Sequence, residues 1–171
     1  MAKALFITTK DIKRYSVLSG SVDPDKFIYM VEIAQDTEVQ NYLGTKLLEK
    51  LQDLILAGTI NLPANANYKL LLETYVKPMT IYWALVCYMP FAAYTVGAKG
   101  VFKGQAEGSV TVDKTEVDYL VEKYRDIAQY YTNNFTSYMI YNQSLFPEYN
   151  QNTENDTYPD TSNADFGGWV L

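Results

Sequence analysis

Residues 78–98 read PMTIYWALVCYMPFAAYTVGA and carry no charge, with Lys77 and Lys99 bracketing the run. As a single helix this run would extend about 30 Å, enough to cross the hydrocarbon core of a bilayer. The same apolar breadth describes a helix buried on all sides within a bundle. Three features favour the buried helix. Thr80, Tyr82, Trp83, Tyr88 and Tyr94 spread polar tips along the whole run, whereas membrane helices gather Trp and Tyr at their two ends. Pro90 interrupts it, which bilayers tolerate but do not favour. The flanking segments are amphipathic, and their apolar stripes need an apolar partner to cover. A central, bent helix is therefore the expectation, and a small integral membrane protein with its span at 78–98 is the alternative.

The chain's 171 residues suffice for one core without disulfide or metal staples. It is 48% hydrophobic and 15% aromatic, with 16 Tyr, so most of it should fold, and the tyrosines suit interfaces. There is no histidine, and Cys87 is the single cysteine. That removes Ser-His-Asp triads, the usual zinc sites and any intramolecular disulfide. Cys87 itself, within the apolar run, reads as a small buried hydrophobe. A net charge of −6 speaks against a grip on nucleic-acid phosphates, and the densest basic cluster is only Lys10, Lys13 and Arg14. The opening MAKALFITTKDIKRY holds no apolar stretch of signal-peptide length. Without such a signal, the sequons at Asn134, Asn142 and Asn155 are chance matches in an Asn-rich chain.

Helix signals then follow one another. Thr8 and Thr9 cap a short turn through Tyr15, and Asp23 with Pro24 opens a second helix. Phe27, Met30, Val31 and Ala34 line one face, which continues through Val39, Tyr42 and Leu43 after a kink near Asp36. Gly44 reads as a left-handed C-cap and Thr45 as the cap of a helix striped by Leu47, Leu48, Leu51, Leu54 and Ile55. A loop over 61–67 precedes a third helix that enters the charge-free run, bent or broken at Pro78 and Pro90. Gly97, Gly100, Gly104 and Gly108, followed by alternating Val110 and Val112, suggest a loop or short β-hairpin. Asp113 and Glu116 form a capping box for a last helix striped by Val117, Leu120, Val121, Tyr124, Ile127, Ala128, Tyr131, Phe135 and Tyr138. The fold class expected is all-α: a small bundle of about four main helices with that insertion and an extended C-terminal tail.

After Pro147 the composition turns polar until Phe166-Gly-Gly-Trp169-Val170-Leu171, a set of apolar anchors on a glycine joint. A polar tether ending in an apolar plug suits a segment that orders on another surface. The chain thus divides into a helical domain, 1–147, and a docking tail, 148–171. Chemistry is sparse. The glycine series lacks the G-K-[ST] ending of a phosphate loop, and the acid pairs Asp23/Asp25, Glu32/Asp36 and Asp118/Glu122 sit where capping or a solvated helix face explains them. No enzyme, metal or cofactor is expected.

The order of Lys10-Asp11-Ile12, a Gly-Ser-Val-Asp loop, Ile33-Ala34-Gln35, Tyr42-Leu43-Gly44-Thr45 and Leu47-Leu48 resembles the head-to-tail connector (adaptor, or ring) proteins of tailed bacteriophages. It looks most like those of crAss-like phages infecting Bacteroidetes. Tyr75-Val-Lys-Pro78 and Lys99-Gly100-Val101 are consistent with the same proteins, so the similarity covers roughly residues 7–145. The resemblance implies a structural virion protein at the head–tail junction, made in the host bacterial cytoplasm. Such a subunit would form a homo-oligomeric ring, commonly twelvefold, under the portal protein and above the next tail component. Genomic DNA would be passing cargo and no membrane a partner. On that reading Tyr158, Phe166, Trp169, Val170 and Leu171 would touch a partner, while Lys99, Val101, Phe102 and Lys103 would face a neighbouring subunit or the lumen. An acidic helical interaction module is the remaining alternative.

Overall fold

The computed structural model describes residues 3–15, 24–92, 94–97, 100–103 and 114–162, and for residues 24–26, 94–97 and 100–103 the backbone alone. Helix α1 (Thr9–Tyr15) is capped by Thr8, whose hydroxyl accepts from Asp11 N at 3.4 Å while Asp11 Oδ2 accepts from Thr8 N at 2.8 Å. Helix α2 (Pro24–Ala34) passes through a π turn (Gln35–Val39) into α3 (Gln40–Leu43), and α4 (Thr45–Leu56) doubles back. Helix α5 (Ala66–Leu71) likewise passes through a π turn (Leu72–Val76) into α6 (Lys77–Tyr88), which a 3-10 turn (Met89–Phe91) ends. Strands β1 (Tyr94–Gly97) and β2 (Gly100–Lys103) pair antiparallel, and α7 (Lys114–Asn142) completes the bundle. The fold is all-α with a short β-hairpin inserted.

The two π turns share a cause. Phe27, Val31, Gln35, Val39 and Leu43 are all buried, as are Leu72, Val76, Thr80, Ala84 and Tyr88. Both rows advance by four residues, and on a regular helix each such step drifts about 40° around the axis. A wider turn takes back part of that drift and keeps the row facing the core. The second π turn also answers Pro78, which cannot donate to the carbonyl of Thr74. The bend expected near Asp36 and the break expected at Pro78 are thus both met by widened turns.

Helix α6 packs between α2 and α7 and is buried nearly all round, through Met79, Ile81, Trp83, Leu85 and Val86 among others. At 12 residues it is about 18 Å long, short of the roughly 30 Å of a bilayer core. The rest of the charge-free run turns into the 3-10 segment and β1, and no helix among the described residues is long and apolar enough to cross a membrane.

Against α6, the buried face of α7 is Ala128, Thr132, Phe135, Thr136 and Met139. Of the expected stripe, Ala128 and Phe135 are buried and Val121, Tyr124, Tyr131 and Tyr138 are half-buried against the core, whereas Leu120 and Ile127 are exposed. The buried threonines have assigned partners. Trp83 Nε1 donates to Thr132 Oγ1 at 3.0 Å, and Thr132 Oγ1 donates to Ala128 O at 2.9 Å. Thr132→Val should therefore destabilise by about 1–2 kcal/mol by stranding the indole N–H. Urea titration followed by Trp fluorescence measures this, and an unchanged midpoint would contradict it.

Candidate functional site

The segment beyond residue 147 lies against the bundle as far as Asp160. Phe146 and Tyr149 are buried, and Glu148 Oε2 accepts from the Tyr68 hydroxyl at 2.7 Å. Further along, the chain caps α4. Thr45 N donates to Thr157 O at 3.0 Å, and Lys46 N donates to Asn152 Oδ1 at 3.1 Å. Thr157 N in turn donates to Thr45 Oγ1 at 2.8 Å. The N-terminal amides of α4 thus find their acceptors more than 100 residues away, where a local cap from Thr45 was expected. Asp160 N donates to Asn41 O at 2.7 Å and finishes the strap. Burial, with Asp160 nearby, pushes the Tyr149 phenol up to about 12.

The strap fits because residue 44 is glycine. Gly44 has φ 74° and ψ 163°, a region that only glycine occupies readily. It is not the left-handed helical cap that was expected, and a positive φ of the usual helix-ending kind occurs instead at Gly58, at 67°.

Of the partner-facing residues expected, Tyr158 is 61% exposed on this strap. Phe166, Trp169, Val170 and Leu171 lie outside the described residues, as does Lys99. Val101, Phe102 and Lys103 form β2, in register with Val96, Thr95 and Tyr94. Gly97 pairs with Gly100, so the pairing lies earlier than Val110 and Val112, which are outside the described residues together with Asp23 and Asp113.

A surface absent from the sequence reading runs along the seam of α6 and α7. Tyr75 stacks on Tyr138 with centroids 4.3 Å apart, and Tyr82 stacks on Tyr131 at 5.2 Å with planes inclined by 9°. Tyr75, in the π turn before α6, and Tyr82 on α6 lie seven residues apart, as do Tyr131 and Tyr138 on α7, a spacing that was legible in the chain. Beside the first pair opens a cleft of about 480 Å³ whose lining includes Asn134, Ser137 and Tyr141. A second cleft of about 270 Å³, lined by Asp11, Glu73 and Lys77 among others, shares Tyr131 with it.

Burial raises the Glu38 carboxyl, against the pull of Arg125, and burial with the Glu38 charge raises the Cys87 thiol. A raised thiol is the less nucleophilic kind. No group of His, Cys, Asp and Glu able to hold a metal ion occurs among the described residues.

No curated protein and no solved structure matches the chain. The model of a family of unknown function, DUF6712, matches residues 39–159, more than half of the 171. Its limits take in the strap as far as Pro159, whose ring lies beside Gly44. The chain therefore belongs to the family of unknown function DUF6712.

Proposed function

We propose that this protein is a structural virion component, an adaptor subunit that forms an oligomeric ring between a phage portal and the tail and lines the DNA passage. The motif order described above supports the reading. The observation that carries it is the exposed apolar group on the first half of α7. Between residues 114 and 127 no side chain is fully buried: Val121 and Tyr124 are half-buried against the core, while Leu120 and Ile127 of the same apolar stripe are exposed. Leu120 is 42% exposed and Tyr119 59%. A ring subunit needs such a flank, since each copy buries one surface against the next through a heterologous interface that closes. Separate exposed apolar groups on α4 and α5, Leu56 and Leu70, suit the opposite flank. A net charge of −6 would let a DNA duplex slide rather than hold it.

Cryo-EM of a portal-containing assembly tests the reading. The expected result is this chain in the ring directly beneath the portal, and its appearance elsewhere or its absence overturns the proposal. Truncation is the complementary experiment. The cut belongs after Ser162, because a cut at 147 would remove Tyr149, Asn152 and Thr157 and uncap α4. Deleting 163–171, or Trp169→Ala, should leave the melting temperature of the free subunit unchanged while abolishing or weakening portal docking. A truncated chain that docks normally would show that residues 163–171 are not the portal contact.

A further inference from the structure

We propose that the tyrosine seam of α6 and α7 is a docking groove for a proline-rich, extended segment of another protein. The spacing of the rings is the first argument. The stacked pairs Tyr75–Tyr138 and Tyr82–Tyr131 are two ridges across one seam, seven residues apart on each side. At helical rise that separation is roughly 10 Å. A polyproline II helix repeats every three residues, about 9 Å, so one turn of such a ligand matches the single gap between the two ridges.

Hydrogen bonding is the second argument. A polyproline II backbone makes no internal hydrogen bonds, and its carbonyls need outside donors. The larger cleft is lined only by uncharged residues, and Asn134, Ser137 and the tyrosine hydroxyls offer donors. Rigid proline segments also lose little entropy on binding to an aromatic groove.

Charge sets the flank of the ligand. The smaller cleft carries two carboxylates, Asp11 and Glu73, against one ammonium, Lys77, and Lys77 bonds Glu73 at 2.8 Å. Hydrogen bonds from Thr8 outweigh burial and hold the Asp11 carboxyl below the usual range, so it is charged at neutral pH. A lysine or arginine at that end of the ligand is favoured. The ligand is not this chain: its prolines lie at 24, 63, 78, 90, 147 and 159, the first five in helices or helical turns and Pro159 against Gly44.

The groove does not depend on the ring reading and can be tested without it. The probe is a decaproline peptide flanked by arginine, titrated calorimetrically into the full chain. Controls are a glutamate-flanked decaproline, a Gly-Ser peptide of equal length and a chitin oligosaccharide. Saturable binding of the arginine-flanked peptide is expected, several-fold tighter at low salt than that of the glutamate-flanked one. Tyr141 lines the larger cleft and is 84% exposed, so Tyr141→Ala should fold as the parent does while weakening binding about tenfold, or ~1.4 kcal/mol. Asn134→Ala should also weaken it. Failure of the peptide to bind, equal binding of the Gly-Ser control, preference for the oligosaccharide, or indifference to both substitutions would each overturn the proposal.

Discussion

Gly44→Ala should lower the stability of the chain by about 3 kcal/mol. Two costs combine at this position. The backbone at φ 74° and ψ 163° is one that a Cβ-bearing residue adopts only at roughly 1–3 kcal/mol. A methyl group there would also come within 2.8 Å of Asn152 Nδ2 and 2.9 Å of the Pro159 ring, closer than van der Waals contact allows. Asn152 cannot retreat freely, because its Oδ1 accepts from Lys46 N and its Nδ2 donates to Tyr149 O at 3.1 Å. The strap must then lift, and the Thr45 and Lys46 amides lose their acceptors. Urea denaturation gives the size, and limited proteolysis should show faster cleavage between residues 150 and 160. Pro159→Ala in the same chain should recover part of the loss, since it relieves the contact with the proline ring but neither the Asn152 contact nor the backbone strain. An unchanged midpoint for Gly44→Ala would refute the account.

That glycine also marks how far the sequence can be read. Its helix-ending position was visible from the stripe ending at Leu43 and the new one starting at Leu47, because amphipathic period is a local signal. Its true role was not visible, because the residues that require it, Asn152 and Pro159, are more than 100 positions away. The polar composition after residue 147 suggested a detached tether for a related reason. Asn, Thr and Asp are the residues of tails, but they are also the residues that cap helices and satisfy strap backbones. Composition cannot distinguish the two uses. The helices themselves, and the α6 core within the charge-free run, were legible because burial on all sides leaves a pattern in hydropathy. The π turns were half legible. A four-residue spacing of apolar positions, 27, 31, 39 and 43, was present, but Gln35 in the same row hid it.

The tyrosine seam shows the same limit for the site. Tyr131 and Tyr138 read as ordinary members of an apolar stripe, and Tyr82 as one of the polar tips in the charge-free run. Only the antiparallel packing of α6 on α7 turns two spacings of seven into two stacked pairs. What a helix presents to solvent depends on the neighbour that covers its other side. The first half of α7 carries the same lesson, since of its expected stripe Val121 and Tyr124 pack against the core while Leu120 and Ile127 are exposed.

Gln35→Leu should destabilise by about 3 kcal/mol, although it replaces a polar residue in the core with an apolar one of similar size. Gln35 is 1% exposed. Its Oε1 accepts from Phe6 N at 2.7 Å and its Nε2 donates to Ala4 O at 3.2 Å. The side-chain amide thus stands in for a neighbouring strand and holds the N-terminal segment, with Phe6 and Ile7 buried beneath it. Leucine would leave the Phe6 N–H without an acceptor, at about 1–3 kcal/mol, and would loosen the burial of the phenyl ring. Ala4 O retains Gln52 Nε2 at 3.3 Å, so the segment should loosen rather than leave. Gln35→Glu separates the hydrogen bonds from the shape. A buried carboxyl there would favour its neutral form, and its folded pKa would lie above its unfolded one. The unfolded chain would then release the proton first, so stability would be greatest below the unfolded pKa and would fall as pH rises toward the folded one. Gln35→Glu should therefore match the parent closely near pH 4 and fall well below it at pH 7, whereas Gln35→Leu should show the same deficit at both. Equal deficits for the two variants across that range would mean that the position senses volume and not the paired hydrogen bonds.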